Sequence, residues 1–284
     1  MAKLNWKSIT IGTFLLIIVT VGYIYWQNNT IVVSKYEYKN QQVPSQFTGF
    51  TIMQLSDLHN HDFGDNGRQL ITKVRENQPD IIVFTGDLID AYRTKMDVAF
   101  TIVDQLRDIA PMYYVVGNHE ARITNYPEFE SGLRARGVHV LRNELAWITE
   151  EGAKFALVGL DDPDFFETWR TDEKKTMKEV LTSLQLQAED ALQILLAHRP
   201  EYLEFYAEQQ VPLVLSGHAH GGQIRVPFTE GLFAPGQGLF PTLTSGVHQQ
   251  GETSLIISRG LGNSAFPIRV QNQPEIVIVT LASE

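Results

Sequence analysis

Along most of this chain, short runs of Val, Ile and Leu end abruptly in polar residues, and amphipathic stretches of helical length separate them. The apolar runs occupy 50–55, 81–85, 112–116, 155–160, 193–197, 213–216, 254–258 and 275–281. Between them, 67–77, 96–109, 127–136, 172–188 and 200–209 mix apolar and charged positions with helical spacing. Pro127 and Pro200 suit first-turn positions. Such alternation is the grammar of βαβ units, and eight runs call for more than one sheet. From 221 to 251 the composition shifts to Gly, Pro, Phe and Thr without helical period, which reads as loops and a hairpin over the domain.

Composition narrows the chemistry. The 284 residues contain no cysteine, which removes disulfides, thiolate-bound zinc, iron–sulfur clusters and thiol nucleophiles together. A formal net charge of -10 gives no electrostatic footprint for nucleic acid, so any phosphate chemistry needs a local positive centre.

Residues 9–26 carry no charge and are long enough, at about 1.5 Å per residue, to cross a bilayer as one helix. Tyr23, Tyr25 and Trp26 gather at its far end, where amphipathic rings favour the membrane–water boundary. The residues after it lack a small-x-small cleavage pattern, so an uncleaved single-pass anchor is the expectation. Lys3 and Lys7 before the helix bias the N-terminus toward the cytoplasm and the domain outward. The expected organisation is a short segment 1–8, an anchor 9–26, a linker 27–46 and a catalytic domain 47–284.

Five polar clusters follow the apolar runs: 56–61 (Ser-Asp-Leu-His-Asn-His), 85–90 (Thr-Gly-Asp-Leu-Ile-Asp), 117–120 (Gly-Asn-His-Glu), 197–199 (Ala-His-Arg) and 216–220 (Ser-Gly-His-Ala-His). Six of the eight histidines lie in them. Each cluster alone reads as a turn or a cap. Together they place imidazoles and carboxylates where open α/β sheets bind ligands, at the carboxyl ends of strands. Burying such groups is costly unless a cation neutralises the carboxylates and takes up the imidazole lone pairs. Oxygen and nitrogen donors without sulfur suit manganese, iron or zinc. Seven candidate ligands exceed one ion's needs and fit two ions sharing a carboxylate, the arrangement that clamps in-line displacement at phosphorus.

In this order the clusters D-x-H, G-D, G-N-H-E, H and G-H-x-H resemble the calcineurin-like metallophosphoesterase superfamily. The 217–223 segment and the tail around 259–264 and 274–275 are similar to a bacterial membrane-associated branch that includes manganese-dependent phosphodiesterases and a UDP-diacylglucosamine hydrolase. The resemblance covers roughly 47–281. It implies an α/β fold, a two-sheet β-sandwich flanked by helices in four αββα layers, here preceded by one N-terminal transmembrane helix. It also implies that Asp57, His59 and His220 hold one divalent ion, that Asn118, His198 and His218 hold the other, and that Asp87 bridges them. By the same resemblance the substrate is a phosphodiester or pyrophosphate, attacked by water held between the ions, and His119 contacts the phosphate as the catalytic residue.

Asp90 and Glu120 lie beside candidate ligands and would orient imidazoles, and Arg199 is a candidate substrate contact. His61 points away from the ion of His59 if the chain stays extended, and His139 and His248 lie outside every motif. The aromatic stretch 227–240 reads equally as an apolar groove beside the metals or as a hairpin packed on the core. An anchored enzyme suits a lipid or cell-envelope substrate. The alternatives are a phosphomonoesterase on the same site and a non-catalytic metal-binding membrane module; motifs of metal-dependent amide hydrolases are absent from the sequence.

Overall fold

The computed structural model describes residues 6–166 and 173–284. The first five residues and Asp172, the expected start of one helix, lie outside the described residues.

A 24-residue helix, α1 (Trp6–Asn29), opens the described chain; its stretch Ile9–Asn29 is long and apolar enough to cross a membrane, and the apolar part of it is not buried by the domain. Two residues later the chain enters β1 (Val32–Asn40). There follow β2 (Thr51–Leu55), α2 (Arg68–Asn77), β3 (Ile81–Thr85), α3 (Met96–Leu106), β4 (Met112–Val115), the short α4 (Asn118–Ala121), α5 (Tyr126–Ala135) and β5 (Val138–Val140). The second half contains β6 (Glu144–Glu150), β7 (Ala153–Gly159), α6 (Glu173–Ala188), β8 (Gln193–Leu196), α7 (Leu203–Glu208), β9 (Leu213–Ser216), the small hairpin β10 (Phe233–Ala234) and β11 (Gly238–Leu239), then β12 (Gly246–Gln250), β13 (Thr253–Ile257) and β14 (Glu275–Ser283).

Two six-stranded sheets form the frame, in the orders β1-β14-β2-β3-β4-β5 and β12-β13-β9-β8-β7-β6. Strand periodicity assigns each side chain to a layer. On β2 and β3, Ile52, Ile81 and Val83 turn inward and meet Leu157, Ile194, Leu196 and Leu215 of the other sheet. The alternate residues Met53, Leu55, Ile82 and Phe84 pack on α2, α3 and α5 through Leu70, Ile102 and Phe129. Across the second sheet, Val158, Leu195 and Val214 pack on Met177, Leu181 and Phe205 of α6 and α7. Three separate apolar layers therefore lie between four layers of secondary structure, which is the expected αββα sandwich.

The residues expected to be a linker behave differently. β1 pairs in parallel with β14 over nine positions, and Tyr38, Val43 and Phe47 enter the layer between the sheets. Polar residues alternate along it because it is an edge strand, with one side open to water. Only residues 30 and 31 separate it from α1. The segment 200–209 is also interrupted: a 3₁₀ turn, Pro200–Tyr202, precedes α7. Within 221–251 the expected hairpin is β10–β11, and the end of the segment forms β12, an edge strand of the second sheet.

Candidate metal centre

β2, β3 and β4 of one sheet and β8 and β9 of the other all end at one edge of the sandwich, and each releases a candidate ligand within four residues of its last strand position. Asp57, His59, Asp87, Asn118, His198, His218 and His220 are all at most 6% exposed. Five of them sit in the left-handed backbone region: Asp57 at φ 51°, His59 at 46°, Asp87 at 53°, His218 at 64° and His220 at 48°. This region costs a non-glycine residue about 1 kcal/mol or more, so surrounding structure must hold each one there. Here the kink turns the side chain off the strand axis and into the gap between the sheets.

Gly217 makes that turn possible on the second sheet, since a Cβ there would overlap Ser56 Oγ and Asp57 Oδ2. Gly117 does the same on the first, where a Cβ would overlap Asp87 Oδ1.

The ligand atoms fall into two nests. In one, His220 Nε2 lies 3.2 Å from His59 Nε2 and 3.5 Å from Asp57 Oδ1. In the other, His198 Nε2 lies 3.2 Å from each of Asp87 Oδ2, His218 Nδ1 and Asn118 Oδ1. Asp87 Oδ2 is also 3.6 Å from His59 Nε2, so one carboxylate oxygen faces both nests.

These groups fit a pair of cations. His198 Nδ1 donates to the Thr85 carbonyl at 2.7 Å, which fixes the tautomer and leaves the Nε2 lone pair aimed into the nest. The Asn118 carboxamide oxygen faces His198 and His218, where hydrogen bonding alone would favour its nitrogen; a cation between them makes oxygen the right atom. Burial would raise the Asp57 and Asp87 carboxyls, but the neighbouring imidazoles, His220 for the first and His198 for the second, outweigh it and hold both well ionised. Burial drives His220 down to about 3 and His218 well below the usual imidazole range, so both present neutral nitrogens. His59 and His198 go the other way: burial opposes their charge, but Asp57 and Asp87 outweigh it and raise His59, and Asp87 raises His198 to about 10.

His119 stands beside the first nest, its ring 4.6 Å from that of His59. Its Nδ1 accepts from the Ala91 backbone N–H at 3.0 Å, so the neutral ring carries its proton on Nε2, which meets Ser264 Oγ at 3.0 Å. Burial lowers its pKa, in spite of the raising influence of Asp87.

Glu120 does not touch an imidazole. Its carboxylate accepts the N–H groups of Gly117, Asp87 and Ile89 at 2.8, 2.9 and 3.2 Å, tying two ligand loops together by their backbones. Burial and the nearby Asp87 push it up to about 7. Asp90 Oδ1 accepts from Tyr92 and Arg93 N–H, while its carboxylate also joins His59 and His119 in a compact group. Arg199 lines the pocket, but its guanidinium is committed to Asp162 at 2.7 and 2.8 Å and to Asp164 at 2.7 Å. His61 packs on Phe63, His139 stacks on Tyr113 and His248 bonds the Ser245 carbonyl, all outside both nests.

Several supporting residues were given no role by the sequence. Arg269 is fully buried; it donates to the carbonyls of Arg259 and Gly262 and to Asn263 Oδ1, and it packs 3.3 Å from His220 Nδ1. Asn272 Nδ2 donates to the His220 carbonyl at 2.7 Å. Arg122 and Ser264 join the lining of the 290 Å³ pocket over the metal nests, together with Tyr92, Phe233, Pro235 and Phe266. The aromatic stretch thus contributes both to this pocket and to a hairpin.

Residues 50–222, more than half the chain, match the Calcineurin-like phosphoesterase family, and the chain belongs to that family. It is 32% identical over 270 residues to the uncharacterized metallophosphoesterase YkuE of Bacillus subtilis, covering 91% of this chain and 88% of that one. Phosphodiesterase YaeI of Escherichia coli is 28% identical over 82% of each chain. A transmembrane protein with metallophosphoesterase domain from Bos taurus is 27% identical over 88% of this chain and 56% of its own length. Among solved structures, TT1561 of Thermus thermophilus shares the fold with a TM-score of 0.52 at 13% identity, covering 75% of this chain and 91% of that one. The protein is a metal-dependent phosphoric ester hydrolase.

Proposed function

We propose that this chain is a membrane-anchored, two-metal phosphodiesterase whose domain faces away from the cytoplasm. The observation that carries the two-metal reading is the single Asp87 oxygen shared by two nests of imidazole and carboxylate atoms. Asp57, His59 and His220 would hold one divalent ion and Asn118, His198 and His218 the other, with manganese, zinc or iron suited to these donors. Bound there, such ions supply Lewis acidity toward phosphate oxygens and lower the pKa of water held between them.

The remaining residues position the ester and its proton. His119, with Nδ1 engaged by Ala91 N–H, offers Nε2–H to the phosphate or its leaving oxygen, and Ser264 holds that edge of the ring. Both pocket-lining arginines, Arg122 and Arg199, already serve Asp164 and Asp162. A monoester dianion would bring one more negative charge than a diester into a pocket with no uncommitted guanidinium among the described residues. Diesters and pyrophosphate diesters are therefore the better substrates, and an apolar wall of Phe233 and Phe266 suits one with a lipid moiety.

The test is metal add-back to the full chain in detergent after chelation, with bis(p-nitrophenyl) phosphate set against p-nitrophenyl phosphate. Manganese, zinc or iron restores diester hydrolysis at least about tenfold above monoester hydrolysis. In the same assay His119→Ala keeps its metal content but loses on the order of 10²–10⁴ in turnover, the usual range for a positioned proton donor. Monoester preference would overturn the diester reading, and failure of every metal on both esters would overturn the enzyme reading.

A further inference from the structure

α1 does not merely precede the domain. Its last turn is built into the wall of the active site. Asn28 accepts the backbone N–H of Arg269 at 2.8 Å and donates to the Arg269 carbonyl at 3.0 Å, and Gln27 accepts the Asn272 N–H at 3.1 Å. Asn263 donates to the same Asn28 oxygen at 3.0 Å. The loop 263–269 is thereby pinned to the helix two residues beyond Trp26, or about 3 Å along the axis.

That loop presents Ala265, Phe266, Pro267 and Ile268 to solvent in an unbroken row, with Phe266 47% and Ile268 37% exposed. Four consecutive exposed apolar residues are anomalous on a water-facing surface. One side of the loop, Ser264 to Phe266, lines the metal pocket. The other, Asn263 and Pro267, lines a second cavity of 350 Å³ shared with Asn28, Asn29, His59, Arg93 and Lys95. Two exposed basic side chains at this spot, on a chain of net charge -10, complement an anionic surface. On the far side of the metal pocket, Phe233 and its cross-strand partner Leu239 are 49% and 69% exposed.

We propose that residues 265–268 are seated in the bilayer surface beside the anchor, so that the metal pocket opens onto the headgroup layer and takes the phosphate ester of an amphiphile whose apolar part stays in the leaflet. The proposal rests on the anchored-phosphodiesterase reading. The occupant of the patch is the bilayer because the patch is continuous with α1: the residue that ends the apolar row, Ile268, adjoins the backbone that Asn28 holds. An aromatic ring and two aliphatic side chains inserted to the acyl boundary, flanked by Arg93 and Lys95 at headgroup level, reproduce the composition of an interfacial surface.

The chain has no cysteine, so a single introduced thiol carries the only label. Full chain bearing Phe266→Cys or Ile268→Cys, labelled with bimane, is placed in nanodiscs of 3:1 phosphatidylcholine and phosphatidylglycerol, with or without brominated acyl chains. Glu150→Cys, the last residue of β6 at the opposite end of the sheets, is the reference. Brominated lipid quenches the 266 and 268 labels at least about threefold more than the 150 label. Equal quenching at all three positions overturns the seating and gives the patch to a protein partner or a second copy. Hydrolysis of bis(p-nitrophenyl) phosphate is scored separately on the unsubstituted, unlabelled full chain in the same nanodiscs, because Phe266 lines the pocket: turnover there without quenching of the labelled variants sinks the seating alone, and quenching without turnover sinks the hydrolase reading while leaving the seating in place.

Discussion

Most of the candidate ligands are placed at a cost, in backbone strain at Asp57, His59, Asp87, His218 and His220 or in buried charge at the two carboxylates, which a bound cation would offset. His198 makes this measurable. In the metal-free chain burial disfavours its proton, but Asp87 at 3.2 Å holds it on, and its pKa rises to about 10. A ligand must be neutral, so binding an ion expels that proton. The free form is protonated below about pH 10 and the bound form is not; the apparent metal affinity therefore rises with pH, by about tenfold per unit for one proton, and levels off above the folded-state value. Chelator competition with zinc or manganese at three pH values between about 6.5 and 8.5 reads this slope. An affinity flat across that window would remove His198 from the ligand set.

Elements explain what the sequence disclosed and what it hid. The eight apolar runs are the eight interior strands, β14, β2, β3 and β4 in one sheet and β13, β9, β8 and β7 in the other. Covered on both faces, they read as continuous Val, Ile and Leu. In the two six-stranded sheets, the four strands with no clear run, β1, β5, β6 and β12, are the four edges, where one side faces water and residues such as Glu37, Lys39, Glu150 and Gln249 are tolerated. The ligands were legible for a related reason, because each follows an interior strand. Arg269 and Asn272 were not, since they sit in an irregular loop outside every ligand motif and meet the site only through the tertiary fold, and Ser264 lies in the 259–264 tail that carries the resemblance but no role. The junction of α1 with that loop is the least legible element of all, and it has a mechanical consequence. Asn28→Ala removes three hydrogen bonds to the 263–269 loop, besides one to the Ile24 carbonyl within its own helix, leaving the Arg269 backbone groups buried and unpaired. At about 1 kcal/mol each with partial compensation, the loss is about 2 kcal/mol, which for a chain of this size lowers Tm by roughly 4–8 °C. Asn29→Ala, whose side chain bonds only the Tyr25 carbonyl within its own helix, leaves Tm within about 1 °C. Equal shifts in scanning calorimetry of the two full-length variants would show that the helix end is not part of the domain.

For the whole molecule, the site is the place where the two sheets are held together by polar groups instead of by the apolar layer between them. Asp57, His59, Asp87 and Asn118 come from the first sheet, and His198, His218 and His220 from the second. Without ions, Asp57 and Asp87 remain ionised in surroundings that expose at most 1% of either residue, and they have only imidazoles, a hydroxyl and backbone N–H groups to answer them. Ions that bind the folded chain and not the unfolded one stabilise it by about 4 kcal/mol at a roughly thousandfold excess over Kd. Chelation should therefore lower Tm by roughly 8–16 °C, and the loss should be uneven. The apolar layer formed by Ile52, Val83, Leu157 and Leu196 does not depend on the ions and keeps its protection. Backbone amides in 57–61, 87–91 and 217–223, whose loops close over the nests, exchange faster once the cations are gone. Hydrogen exchange followed by mass spectrometry on the loaded and stripped full chain distinguishes the two regions. If the strands between the sheets lose protection as much as the ligand loops, the ions support the whole fold; if neither changes, the loops are held without them and the cross-link between the sheets is not metallic.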